Sequence, residues 1–153
     1  MHNNVQFNEE SYALIKNDAR VLFQKHYDEV VKHKDIPLQV HDEAYLALDK
    51  YDTFKVYTAR KNGILVGYNT YFISDNLHYK NCKQAVQDAI YIDKDHRGFG
   101  REFLKYSEDQ LKKLGVIIVY GFLKHESPSS SLYYDLNYEL SELVFTKRLD
   151  LEA

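Results

Sequence analysis

The hydrophobic positions change period several times along the chain, and each change marks an element. Val5–Phe7 is short, with apolar residues at alternate positions, and predicts an opening strand. Asn8, followed by Glu9 and Glu10, reads as the N-cap of a helix with an acidic first turn. Through 9–34 the residues Ile15, Ala19, Leu22, Phe23, Tyr27 and Val30 recur at helical spacing. Pro37 sits in a break, and HDEAYLALDK (41–50) predicts a second, shorter helix. TFKVYTAR (53–60) and ILVGYNTYFI (64–73) are β-branched and aromatic, and they flank Asn62-Gly63, a strong hairpin signal. QAVQDAIYID (84–93) is a further strand, with Asp93–Gly98 as the turn after it. A helix from about residue 99 places Phe103, Leu104, Ser107, Leu111 and Leu114 on its buried face, and Gly115 stops it. VIIVYG (116–121) is apolar enough to predict a fully buried strand. Ser127-Pro128 opens a short helix to about Leu136, and ELVFTKRL (142–149) predicts a closing strand. The order is that of an α+β fold, with a central mixed sheet flanked by about four helices. Its parallel part is the strand–helix–strand unit from 84 to 121.

With 153 residues and no repeat, linker or low-complexity stretch, residues 1–153 read as a single domain. The net charge of −3 and the pI near 6.1 argue against a dedicated nucleic-acid binder. The N-terminus is polar, and the apolar stretch around Val116–Leu123 is far too short to span a bilayer, so no membrane association is expected. Cys82 is the lone cysteine, which points to a reducing, cytoplasmic compartment. A strand near the C-terminus, lying at a sheet edge, could pair in a homodimer.

The chemistry concentrates at AIYIDKDHRGFGREFL (89–104). Glycines at a strand-to-helix turn let successive N–H groups converge on one concavity, with the helix dipole behind them, and so form an anion site. The same glycines also serve a plain tight turn. The stretch is neither a Walker loop, since no Gly-Lys-Ser/Thr follows, nor a dinucleotide fingerprint, since the third glycine is missing.

This stretch resembles the acetyl-CoA signature of the GNAT superfamily of acyl-CoA N-acyltransferases, a strand and turn followed by Arg/Gln-x-x-Gly-x-Gly/Ala at the head of a helix. Arg97 and Gly100 match its first and fourth positions, while Glu102 stands where the final Gly/Ala belongs. LYYDLNYELSELVFTKRL (132–149) is similar to the family's Phe-Tyr-…-Gly-Phe ending, with Tyr133 on the tyrosine and Asn137 in place of the glycine. Small members encoded by bacteriophages close in a similar way, and a phage origin would place the protein in the host cytoplasm. The resemblance spans nearly the whole chain.

It implies a partly splayed GNAT sheet and an N-acetyltransferase using acetyl-CoA, with direct attack by an amine in a ternary complex. The pantetheine would pair with backbone near Tyr91 and Ile92. The pyrophosphate would meet Arg97 and the N–H groups of Gly98, Phe99, Gly100, Arg101 and Glu102. Tyr133 would be the general acid toward the CoA sulfur, with Tyr134 as fallback. Asp88, nine residues before Arg97, stands where diamine and amino-sugar acetyltransferases place a glutamate, and would act as general base directly or through water. Asp93 and Glu142 are weaker alternatives, and Asp88 is equally a polar residue on a strand's solvent face. The acceptor would be a primary amine on a small molecule or on a protein lysine or N-terminus, its pocket formed by the early helices and loops around 34–41 and 74–83. Tyr57, Tyr68, Tyr71 and Tyr79 could wall a site for a cation, or simply favour strands. The dispersed histidines show no metal-ligand spacing, so no metal is expected. The rival reading is a degenerate GNAT-fold module that binds acyl-CoA or a protein partner without turnover.

Overall fold

The computed structural model describes residues 4–151. β1 (Val5–Glu9), β2 (Phe54–Lys61), β3 (Ile64–Asp75), β4 (Lys83–Ile92) and β5 (Val116–Tyr120) form one sheet in that order. Neighbours are antiparallel except β4 and β5, which are parallel. The helices are α1 (Tyr12–Ile15), α2 (Arg20–Val30), α3 (Asp42–Lys50), α4 (Gly100–Lys113) and α5 (Ser130–Asp135), with a short 3-10 turn at Lys94–His96.

The predicted opening differs in detail. The strand runs on to Glu9, so Asn8 is not an N-cap; Ser11 is, its hydroxyl accepting from the Leu14 N–H. Asn17 and Asp18 favour a turn over helix interior, and the expected long helix divides there into α1 and α2. The hairpin forms at Asn62-Gly63, where both residues take positive φ, 51° and 79°.

The sheet carries a core on each face. Under α1, α2 and α3 lie Tyr12, Ile15, Leu22, Phe54, Tyr68 and Tyr91. Under α4 lie Tyr57, Val66, Tyr71, Phe99, Phe103 and Leu111. Phe103 is fully buried and stacks on Phe7 at 5.1 Å, and sequestering a side chain of that size is worth about 1.5–3 kcal/mol. That contact ties the head of α4 to the first strand of the sheet.

The C-terminal third departs most from expectation. β5 is paired only with β4 among the described residues and is not fully buried; Ile117 is 67% exposed. Residues 142–149 form no strand. Asn137, at φ 65°, ends α5 and folds the Tyr138 N–H back onto the Tyr133 carbonyl. The chain then runs past the loop after α2, where Lys32 donates to Thr146 and Arg148 pairs with Asp35. Those contacts are made by side chains alone, and a strand needs a partner backbone. No helix in the described residues is long and apolar enough to cross a membrane.

Candidate active site

β4 stays paired with β5 only from Lys83 to Val86. β4 then continues to Ile92 with no strand partner on that side among the described residues, so the two strands open a gap. Gln87 closes the root of the gap. Its side-chain oxygen accepts from the Tyr133 hydroxyl at 2.9 Å and the Phe122 N–H at 3.2 Å. Its amide donates to Asn69, whose own amide reaches Tyr71 and Ser107. Sequence reasoning missed Gln87 and Asn69, although the buried position of Ser107 on the helix face already called for a polar partner. Tyr133 is 8% exposed, and its burial pushes the phenol up to about 12, so it holds its proton at neutral pH. Gly121 leaves it room: a Cβ there would lie 2.5 Å from the ring. Tyr134, the fallback, points outward at 56% exposure.

Further along β4, the Asp93 N–H donates to the Val66 carbonyl of β3 at 2.8 Å. Peptide groups alternate in direction along a strand, so that of Tyr91 also faces β3, while those of Ile90 and Ile92 face the gap. Arg97 confirms the direction at Ile92, donating Nε to its carbonyl at 3.0 Å. The same guanidinium pairs with Glu29 of α2 at 2.6 Å and lies over the Tyr91 ring. Arg97 thus anchors the turn to α2. The Tyr91 side chain also points to α2, donating to Glu29 at 2.7 Å.

Behind this turn, Gly98 takes φ 124°, which side-chain-bearing residues rarely adopt. Phe99 supplies no side-chain cap to α4, which leaves its first N–H groups to another partner. A Cβ on Gly100 would come within 3.0 Å of the Leu132 side chain. Arg101 and Glu102 are both exposed at this helix head. The alternative base Asp93 is engaged by Lys25 at 2.7 Å, and Glu142 lies on the exposed terminal segment.

Asp88 occupies an irregularity. Thr70 is opposite Ala89 and Tyr71 opposite Gln87, so Asp88 is an extra residue, a β-bulge, against β3. Its carboxylate faces a cavity of about 240 Å³ enclosed by α1, α2, α3 and the sheet. Tyr45 and Thr70 donate to one carboxylate oxygen, Oδ2, at 2.8 and 3.2 Å. The residue is open to solvent at the cavity mouth, yet the apolar wall desolvates the carboxyl and raises its pKa despite both donors. His26 also lines the cavity, stacked on Tyr91 and bonded to the Tyr68 hydroxyl at 2.7 Å; burial lowers its pKa. Of the four tyrosines considered for an acceptor site, Tyr68 reaches this cavity. Tyr57 and Tyr71 pack under α4, and Tyr79 is exposed. Leu38 and Val40 bring the 34–41 loop to the wall, while the 74–83 loop does not contribute.

No family model matches the chain, and no curated protein matches it by sequence. Solved structures match it over nearly its full length. An aminoglycoside acetyltransferase from an uncultured soil metagenomic sample, in complex with trehalose, superposes with a TM-score of 0.73 at 14% identity, covering 98% of both chains. A ribosomal-protein-alanine N-acetyltransferase from Brucella melitensis gives 0.69 at 16%, covering 95% of this chain and 99% of its own. A protein described as a transcriptional regulator from Bacillus halodurans gives 0.76 at 16%, covering 95% and 99%. At such identities the likeness is one of fold.

Proposed function

We propose that this chain, whose fold is that of the GNAT acyl-CoA N-acyltransferases, transfers acetyl from acetyl-CoA to a primary amine by direct attack. The observation that carries the reading is the gap between β4 and β5, closed at one end by Tyr133 and bordered at the other by the uncapped head of α4. The Ile90 backbone groups and the Ile92 N–H, whose carbonyl is already taken by Arg97, form a strand edge without a strand partner among the described residues, suited to the amide-bearing pantetheine. The N–H groups at Gly98 to Glu102 suit the pyrophosphate, helped by the helix dipole.

The acceptor arrives as an ammonium. Asp88, which its raised pKa makes a better base, takes one proton directly or through water. The freed nitrogen lone pair attacks the thioester carbon, forming the C–N bond, and an N–H donor at the gap stabilises the oxyanion. Collapse breaks the C–S bond and leaves the electron pair on sulfur. Tyr133 gives its proton to the thiolate and is restored by the second proton lost from nitrogen. The net products are the acetamide, CoA as free thiol and one proton. Tyr133 already donates to Gln87, so this role requires its hydroxyl to turn from that oxygen to the sulfur.

The rival, a binding module without turnover, draws on the carboxylate of Glu102 at the helix head. Calorimetry with acetyl-CoA, followed by a free-thiol assay on an amine panel, separates the two. We expect saturable binding and thiol release. Binding without release on every amine supports the module, and no binding removes both. Gly100→Glu, which adds bulk against Leu132 and negative charge at the helix head, should abolish acetyl-CoA binding in a variant that still melts cooperatively.

A further inference from the structure

The cavity beside Asp88 is chemically one-sided. Its wall is formed by Ile15, Phe23, Val30, Leu38, Val40 and Phe54 together with four tyrosines and His26, and among the described residues Asp88 is its only carboxylate. The phenols are already engaged. Tyr12 donates to Asp42, Tyr27 to the Ile36 carbonyl, and Tyr45 to Asp88, while Tyr68 shares a hydrogen with His26. Both hydroxyls that reach Asp88 land on Oδ2, which leaves Oδ1 without a partner among the described residues. The neighbouring carboxylates Asp42 and Glu29 are held by Arg20 and Arg97. The wall therefore offers an ammonium one free anionic oxygen, several aromatic faces and nothing for a second charge.

Resting on the acetyl-transfer reading, we propose that this cavity takes a small primary monoamine with one aromatic, otherwise apolar body, and discriminates against polyamines and amino sugars. The ammonium would sit at Asp88 Oδ1, next to Ala89 on the strand whose other edge borders the gap. The ring would occupy the space between Phe23, Tyr45, Phe54 and Tyr68. An apolar cavity of about 150 Å³ is enough to hold benzene, so 240 Å³ has room for a ring and a short aliphatic arm. A polyhydroxylated or second cationic group placed there would lose its water and gain no partner.

The test uses the full chain and a free-thiol assay, after acetyl-CoA binding has been measured by calorimetry. The panel is 2-phenylethylamine, spermidine, kanamycin, glucosamine 6-phosphate and a peptide with an N-terminal alanine. Each stranded polar group costs roughly 10- to 100-fold in specificity, so kcat/KM for 2-phenylethylamine should exceed the others by at least about 10²-fold. Leu38→Trp, which fills the cavity from the loop side, should remove turnover of 2-phenylethylamine while leaving acetyl-CoA affinity and the melting temperature unchanged. Preference for any other panel member, or full activity of Leu38→Trp, overturns the acceptor assignment and leaves acetyl transfer standing. Acetyl-CoA binding with no turnover on any amine, or no binding at all, overturns the acetyl-transfer reading itself.

Discussion

Replacing Gln87 tests whether the root of the gap is held as the hydrogen bonds require. Gln87, Asn69, Ser107 and Tyr71 are all buried, and Tyr133 nearly so. Removing the Gln87 amide strands the Asn69 side-chain oxygen and the Tyr133 hydroxyl, whereas the Phe122 N–H lies at an exposed residue and can turn to water. Two buried orphans at about 1–3 kcal/mol each give roughly 2–6 kcal/mol, a large share of the 5–15 kcal/mol that holds a domain together. For a chain of this length, at about 2–4 °C per kcal/mol, that is a fall in Tm of roughly 4–24 °C. Gln87→Leu keeps the volume and loses only the polar groups, so it isolates the hydrogen-bonding cost from any cavity. Tyr133→Phe should cost only about 1 kcal/mol, because the Gln87 oxygen keeps its Phe122 donor. The double variant should be less destabilised than the sum, since Tyr133 can be stranded only once. Urea and thermal melts followed by circular dichroism measure all three. A Gln87→Leu variant within 1 kcal/mol of wild type, or a Tyr133→Phe variant as unstable as Gln87→Leu, would refute the account.

Two further expectations concern turnover. Gly121→Ala pushes a methyl to 2.5 Å from the Tyr133 ring; displacing the ring should cost about 1–3 kcal/mol and lower thiol release by at least about 10-fold, and unchanged activity would mean that turnover does not depend on where Tyr133 sits. Asp88→Asn should reduce kcat/KM by about 10²–10⁴. Only the ionised carboxylate can accept a proton, so wild-type activity should fall as the pH drops through a pKa above the ordinary aspartate range, and that limb should vanish in the variant. Because the folded pKa is raised, ionisation of Asp88 opposes folding above its unfolded value, so Asp88→Asn should melt no lower than wild type at neutral pH. A pH–rate profile that is the same in both proteins would remove Asp88 from the base role.

What the sequence disclosed follows from the range of the forces involved. Asn62-Gly63 was readable because a two-residue turn demands positive φ of its own residues. The face of α4 was readable because one helix displays its period in one stretch. Gln87 was not, since within QAVQDAIYI a glutamine reads as solvent-facing, and its burial comes from Asn69, eighteen residues back, and Ser107 beyond. Residues 142–149 alternate as a strand should, but alternation cannot say whether a partner edge lies beside them. The apolar run of β5 likewise suggests full burial, although the strand has a neighbour on one side only among the described residues. The Asp88 cavity was foreseen only as a location, for its walls come from three helices, a loop and three strands.

The extra residue at Asp88 is what turns this sheet into a candidate site. Along an unbroken strand, the phase that puts Ala85 and Gln87 on the α4 face would carry Ala89 and Tyr91 there too. Both instead lie under α1–α3, and Ile92 lies on the α4 face. One inserted residue accounts for the reversal, and it leaves Asp88 and Ala89 facing the cavity in succession. The insertion also reverses which peptide groups point across to β5. The parallel ladder with β5 shifts register once, between Lys83 and Gln84, and its pairing ends at Val86, two residues before the bulge. The carboxylate presented to the cavity and the edge presented to the gap therefore adjoin the same irregularity in β4. Moving the bulge by even one residue along β4 would displace the proposed base and the donor's docking edge together.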